Sequence, residues 1–173
     1  MKKTLPLVRI ALFSAILAVL AQITIPLPTG VPITLQTFAA ALCGYYLNAK
    51  EGCASVAVYL ALGAVGVPVF SGFQGGISRL IGPTGGFLIG FVFLSWFCGI
   101  NSEKKPLRIF FGMVGLILCH ITGALQYAIL MNIDLLQSLL TVSVPFLIKD
   151  IISVAAAFFI SMAVLKVTRR YIL

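Results

Sequence analysis

The chain has 173 residues, of which 61% are hydrophobic and only 9% are charged, and its formal net charge is +8. Soluble globular domains carry roughly 25% charged residues, so this composition excludes that class and indicates an integral membrane protein. In a soluble protein, such positive charge would suggest a nucleic-acid partner. Here it is interpreted as a signal of membrane topology, and no nucleic-acid partner is expected.

The apolar runs predict an all-α bundle of six transmembrane helices in a single domain, 1–173. The predicted spans, in chain order, are 5–25, 34–49, 53–69, 84–100, 107–130 and 142–167. The first run follows basic residues, as a signal peptide would. It continues without a small-residue cleavage site and is therefore interpreted as a span. The second and third spans are short and closely joined, and an alternative that fuses them would give five spans.

The breaks between these runs are polar or rich in proline and glycine. They lie at 26–32, 48–51, 101–106 and 131–141, with the longest interruption at Gly63–Gly86. This last stretch, called the glycine segment below, holds eight of the sixteen glycines and also Arg79. Non-helical backbone beside membrane spans persists only where protein buries it or where it lines a wet cavity. The glycine segment is therefore a candidate wall or lid of a binding site.

The positive charges support six spans with both termini in the cytoplasm, because ten of the twelve cations then share one side. These ten are Lys2, Lys3, Arg9, Lys50, Lys104, Lys105, Arg108, Lys166, Arg169 and Arg170. Five spans would scatter them over both faces. The expected location is the cytoplasmic membrane.

The remaining cations are Arg79 and Lys149, and Lys149 directly precedes Asp150 inside the last span. Intramembrane charges cost about 2.5–3.5 kcal/mol each on insertion scales, so they indicate a pair, a wet cavity or a ligand. Neighbouring helical residues point about 100° apart, which makes a direct Lys149–Asp150 pair awkward. Ser153 lies one turn on and can approach either side chain. A ligand-binding role is favoured over a self-neutralising pair.

Four motifs follow one another along most of the chain. They are Val-Pro-Ile-Thr-Leu-Gln-Thr at 31–37, Tyr-Leu-Ala-Leu-Gly-Ala-Val-Gly-Val-Pro-Val-Phe at 59–70, Gly-Pro-Thr-Gly-Gly-Phe-Leu-Ile-Gly at 82–90 and Pro-Phe-Leu-Ile-Lys-Asp at 145–150. In this order they resemble the BioY family, whose members are biotin-specific substrate-binding (S) components of energy-coupling factor (ECF) transporters. The resemblance implies a six-helix S component that works with a coupling membrane protein and two ABC-type ATPases. The chain itself has no GxxxxGK(S/T) phosphate loop, so any energy must come from such partners.

The resemblance also implies biotin as the transported substrate, with no cofactor. The ligand has a carboxylate tail, an apolar bicyclic body and a ureido head. Arg79 or Lys149 is expected to meet the carboxylate, and Asp150 to accept from the ureido N–H groups. The other predicted binding residues are Ser153, the walls Tyr59, Phe70, Phe73 and Phe87, the backbone at Gly85 and Gly86, and Gln126.

Three positions, in two parts of the chain, depart from the family pattern. Lys149 stands where glycine usually precedes the aspartate, and Ser153 stands where the lysine is usual. Gln126 occupies a site that is often tryptophan. These differences keep two alternatives open: an S component for another vitamin or a biotin precursor, and an intramembrane protein without a transport function.

The first span carries small residues four apart, Ala11 with Ala15 and Ser14 with Ala18, which suit close helix contact. In S components such a pattern docks on the coupling protein, and the same role is expected here.

No catalytic or metal motif is present, so an enzyme is not expected. His120 has no companion ligands at metal spacing and is interpreted as a hydrogen-bonded core residue. The four cysteines are interpreted as small packing residues.

Overall fold

The structure is a computed structural model that describes residues 4–172, with the side chains of residues 169–172 excepted. It is mainly helical, as predicted, with one short antiparallel ribbon in addition. The elements are α1 Thr4–Ala21, β1 Thr24–Ile25, β2 Ile33–Thr34, α2 Gln36–Tyr46, α3 Ala49–Ala64, α4 Ile77–Leu80, α5 Gly85–Cys98, α6 Lys105–Met131, α7 Leu135–Val142 and α8 Val144–Ile172.

Three of the described helices are long and apolar enough to cross a membrane: Thr4–Ala21, Lys105–Met131 and Val144–Thr168. The apolar α5 is shorter, and α2 and α3 have 11 and 16 residues. Each predicted span contains one helix. The second and third runs are separate helices rather than a fused one, because Asn48 ends the connection and its side chain caps α3 by accepting from the Glu51 N–H.

Some predicted boundaries were wrong. The first helix ends at Ala21 rather than 25, because residues 24–25 leave it to pair with residues 33–34 around the proline-rich break. The third helix ends at Ala64 rather than 69, where Gly66 adopts a φ of +102° that a helix cannot continue.

The interval 131–141 was predicted as a plain connection, but most of it belongs to α7. The Asp134 carboxylate accepts from the backbone N–H groups of Leu136 at 2.8 Å and Gln137 at 3.2 Å, and so caps this helix. A short apolar helix lying against α6 and α8 lacks the length of a span, so hydropathy alone assigned it to a loop.

The bundle core is built around α5 and α6, which pack closely on each other, while α2 lies against α5 and α8 and α1 lies against α3. Gly86 and Gly90 are four residues apart on α5. A Cβ at Gly90 would lie 2.6 Å from Thr122 Oγ1 and 2.8 Å from Cys119 Cα of α6. Small residues at this spacing let the two backbones approach, as in other membrane helix pairs.

Arg108 joins three helix ends on one side of the bundle. Its guanidinium donates to the Tyr45 carbonyl at 3.1 Å and to Met162 Sδ at 3.3 Å, and it lies over the rings of Tyr45 and Phe158. The end of α2, the start of α6 and the last part of α8 therefore meet. All four cysteines, which lie within the described residues, are free thiols.

Candidate ligand-binding site

A cavity of about 370 Å³ opens at the other end of the bundle. It lies between the β1–β2 ribbon with its loop, the start of α2, the glycine segment, and the facing sides of α5, α6 and α8. Its polar lining consists of Thr24, Thr34, Gln36, Thr37, Ser71, Gln74, Arg79, Thr84, Cys119, His120, Lys149 and Asp150. Its aromatic lining consists of Phe70, Phe87, Phe91 and Phe146.

The charged centre of the cavity is Asp150 on α8, whose side chain is only 7% exposed. The Lys149 ammonium contacts Asp150 Oδ1 and also donates to the Thr34 carbonyl at 3.0 Å. The expectation that adjacent helical residues pair awkwardly was wrong, because the long lysine stem curls toward the ribbon and brings its amine back to the carboxylate.

His120 of α6 completes this centre. Its Nε2 lies 3.4 Å from Asp150 Oδ2, and its ring meets Phe87 edge-on with centroids 5.9 Å apart. The Asp150 carboxylate therefore lies between an ammonium from its own helix α8 and an imidazole from α6.

Several polar atoms of this centre remain open. Among the described residues, the buried His120 Nδ1 has no hydrogen-bond partner. Asp150 Oδ1 is engaged by the Lys149 ammonium as an ion pair, but a carboxylate oxygen has a second lone pair that can accept from a ligand. Buried polar atoms are nearly always satisfied in folded proteins, so open ones facing a cavity indicate a place for a polar ligand.

On the opposite polar wall, two side-chain hydrogen bonds hold the Gln36 amide in place. Thr34 Oγ1 donates to Gln36 Oε1 at 3.0 Å, and Gln36 Nε2 donates to the Tyr59 hydroxyl at 2.7 Å. Tyr59 is fully buried and meets the Phe70 ring edge-on. The amide and the aromatic wall are therefore held in place before any ligand enters.

Comparison with known proteins identifies the family of the chain that forms this cavity. The BioY family profile matches residues 1–170. The chain belongs to the BioY family. The resemblance drawn from the four motifs is thereby confirmed.

Two BioY relatives match over most of their lengths. The "Probable biotin transporter BioY" of Pyrococcus horikoshii is 36% identical over 152 residues, covering 88% of this chain and 91% of that protein. The "Biotin transporter BioY" of Thermotoga maritima is 36% identical over 163 residues, covering 92% and 95% respectively. The crystal structure of the S-component for biotin from an ECF-type ABC transporter matches with a TM-score of 0.87 and 29% identity, over 95% of this chain and 93% of that chain.

Five of the predicted binding residues of this BioY chain line the cavity together: Phe70, Arg79, Phe87, Lys149 and Asp150. They come from the glycine segment, α5 and α8, which are far apart in the sequence.

The other predicted binding residues lie outside the cavity lining. Tyr59 lies behind the cavity wall, where it supports Gln36 and Phe70. Phe73 is 73% exposed, with its N–H donated to Gln22 Oε1 at 2.8 Å. Ser153 lies in a separate shallow hollow between α2 and α8. Gly85 and Gly86 face α6, because a Cβ on either would collide with Gln126 and with backbone carbonyls. Gln126 binds the glycine segment rather than the cavity.

The predicted docking residues on α1 divide into two pairs. Ala11 and Ala15 are exposed. Ser14 is buried and donates to the Ser55 carbonyl of α3 at 2.7 Å, and Ala18 packs against the core. The second pair therefore holds α1 on α3, and only the first pair forms an open small-residue face.

Sequence reasoning missed several lining residues of this BioY chain, chiefly Thr34, Gln36, Thr37, Phe91 and Phe146. The motif at 31–37 was recognised as a family feature, and its polar residues before an apolar run could have been assigned to the site. His120 is buried, as predicted, yet it lines the cavity as well.

Proposed function

We propose that this BioY-family chain captures biotin for uptake, as the substrate-binding subunit of an ECF-type transporter in the cytoplasmic membrane. The observation that carries the proposal is the cavity itself, where a buried carboxylate and an arginine without a hydrogen bond or ion pair to any described residue line one space with aromatic walls. The volume of about 370 Å³ falls within the ~300–1,000 Å³ range of small-molecule sites.

The charges of the lining suit a monoanion with a polar head. Asp150 is balanced by Lys149, which leaves Arg79 as the excess cation. Lys149 Nζ is already engaged by Thr34 and Asp150, whereas Arg79 has no hydrogen bond or ion pair to any residue that the structure describes. Arg79 is therefore assigned to the ligand carboxylate, and Asp150 Oδ1 to the ureido N–H groups.

Of the three residues that depart from the family pattern, Ser153 and Gln126 lie outside the cavity lining, and Lys149 lines it beside Asp150. The proposal includes six spans with both termini in the cytoplasm. Lys50 and Arg108 lie in the first turns of α3 and α6. Contacts join the nearby helix ends, since the Ala49 N–H donates to the Gly99 carbonyl and Arg108 donates to the Tyr45 carbonyl. Lys2 and Lys3 lie outside the described residues, as do the side chains of Arg169 and Arg170.

The proposed function is tested by equilibrium binding of radiolabelled biotin to the purified protein in detergent, with thiamine and riboflavin as competitors. We expect saturable binding at one site that unlabelled biotin displaces and the other vitamins do not. Displacement by thiamine or riboflavin would indicate an S component of another specificity, and a failure to bind any of the three would contradict the assignment.

Transport further requires a coupling membrane protein and two ABC-type ATPases, and the exposed Ala11–Ala15 face of α1 is the proposed docking surface. Ala11→Trp places a large ring on this face, so we expect assembly with the coupling protein to be lost while biotin binding persists. Co-purification of the co-expressed complex measures the first and radiolabelled biotin the second.

The control is Ile129→Trp on α6, where the native side chain is 78% exposed away from α1. This variant should assemble normally. Retained assembly of Ala11→Trp would contradict the docking surface.

A further inference from the structure

The glycine segment is fastened at two points by glutamine side chains from different helical regions. Gln22, just after α1, donates to the Val69 carbonyl at 3.1 Å and accepts from the Phe73 N–H at 2.8 Å. Gln126 of α6 donates to the carbonyls of Leu80 and Gly82, both at 2.8 Å. Both attachments join a glutamine side chain to main-chain groups, and they lie on opposite halves of the segment.

Only the second attachment adjoins the cation of the cavity. Arg79 directly precedes Leu80 in the four-residue helix α4. Arg79 lines the cavity, and its guanidinium has no hydrogen bond or ion pair to any residue in the described part of the chain. Since no side chain orients Arg79, its position depends on where the backbone of α4 is held. Gln126 holds that backbone at the next residue and again at Gly82.

The approach of Gln126 to this backbone requires glycine at position 85. A Cβ there would collide with both the Leu80 carbonyl and the Gln126 amide. Gln126 itself is absent from the cavity lining. Both hydrogen bonds that the Gln126 side chain donates go to main-chain carbonyls, so its carboxamide has no free N–H for a ligand.

We propose that Gln126 is a positioning residue that fixes Arg79 for the ligand carboxylate without touching the ligand. The inference rests on the proposed function, because it assigns the carboxylate of that same ligand to Arg79. It predicts a coupling that a purely structural residue would lack: the effect of changing Gln126 should depend on the charge of the ligand tail.

The first test compares biotin with biotin carboxamide, which keeps the ring system and lacks the negative charge. Gln126→Leu should weaken biotin binding about tenfold, and Arg79→Gln by at least as much, because each removes or misplaces one charge-assisted contact. The double variant should bind biotin no more weakly than Arg79→Gln alone. Binding of the carboxamide should change less than about twofold in Gln126→Leu.

The matched control is Gln22→Leu, which releases the other half of the segment. Any loss it causes should be equal for biotin and the carboxamide. Gln126→Glu is the second variant, since it preserves size while replacing both N–H donors with an acceptor. Equal losses for the two ligands in the Gln126 variants would overturn the inference.

The second test needs no ligand. Arg79 is the one Lys or Arg between Lys50 and Lys104, so trypsin can cut this stretch of 51–103 only there. In detergent, Gln126→Leu should speed cleavage after Arg79 at least about threefold, and more than Gln22→Leu does, because local opening controls such cleavage. Unchanged cleavage would overturn the inference. Failure of the wild-type chain to bind biotin would instead overturn the proposed function, and faster cleavage would still support Gln126 as the residue that fixes Arg79.

Discussion

Replacing Asp150 with Asn is expected to weaken biotin binding at least about tenfold, which corresponds to ~1.4 kcal/mol or more. The substitution removes the acceptor assigned to the ureido N–H groups and leaves Lys149 without its counterion in a largely buried site. Breaking a buried ion pair by removing one partner costs about 3–5 kcal/mol, so the thermal stability of the protein should fall as well.

The affinity is measured with radiolabelled biotin and the stability by thermal unfolding in the same detergent. Asp134→Asn is the matched control, because Asp134 is exposed, caps α7 and does not line the cavity. It should leave the affinity unchanged. The double variant Lys149→Met/Asp150→Asn should recover stability relative to Asp150→Asn but not affinity. Unaltered affinity in Asp150→Asn would remove this residue from the site.

Gly90→Leu is expected to abolish biotin binding and to destabilise the bundle by about 3 kcal/mol or more. The added side chain has no room, since a Cβ alone would already lie 2.6 Å from Thr122 Oγ1 and 2.8 Å from Cys119 Cα. Separating α5 from α6 would also shift Cys119 and His120, which line the cavity.

The stability is measured by thermal unfolding, with size-exclusion chromatography as the readout. The affinity is measured with radiolabelled biotin. The control is Ile89→Leu at the preceding position, where the side chain is 45% exposed and does not line the cavity. The stability and the biotin affinity of Gly90→Ala should fall between those of Gly90→Leu and Ile89→Leu. A Gly90→Leu protein that keeps its melting temperature and its affinity would show that close helix contact at this point is dispensable.

Local features of the sequence were enough to predict the class of protein and much of the helical plan. Long apolar runs leave few stable options in lipid, because every backbone polar group must be paired within the protein. The proline-rich break at 26–32 was predicted correctly as non-helical for the same reason. The same prediction for the glycine segment was wrong at Ile77–Leu80, where the short helix α4 carries Arg79, and at the two ends, which belong to α3 and α5. The helix α7 was missed because it is short, and its main signal, the cap at Asp134, lies in a weakly polar stretch.

The charged residues of the site could also be selected from the sequence, since Arg79, Lys149 and Asp150 are costly inside a membrane and stand out in an apolar chain. Their roles could not be assigned in the same way. Whether Lys149 contacts its neighbour depends on the path of a flexible side chain, which the Thr34 carbonyl of a distant ribbon determines.

The sequence by itself determined that this is a helical membrane protein of the BioY type, whose apolar runs are interrupted by a glycine-rich segment carrying one cation. Only the tertiary structure decided which polar residues share a cavity. In it, His120 lies beside Asp150, Phe73 and Ser153 lie outside the cavity, and Gln126 donates to the backbone next to Arg79. The hydropathy of a segment and the spacing of its apolar residues indicate whether it contacts lipid or water. The direction of a side chain within the bundle depends on contacts between segments far apart in the chain, and those exist only once the helices have packed.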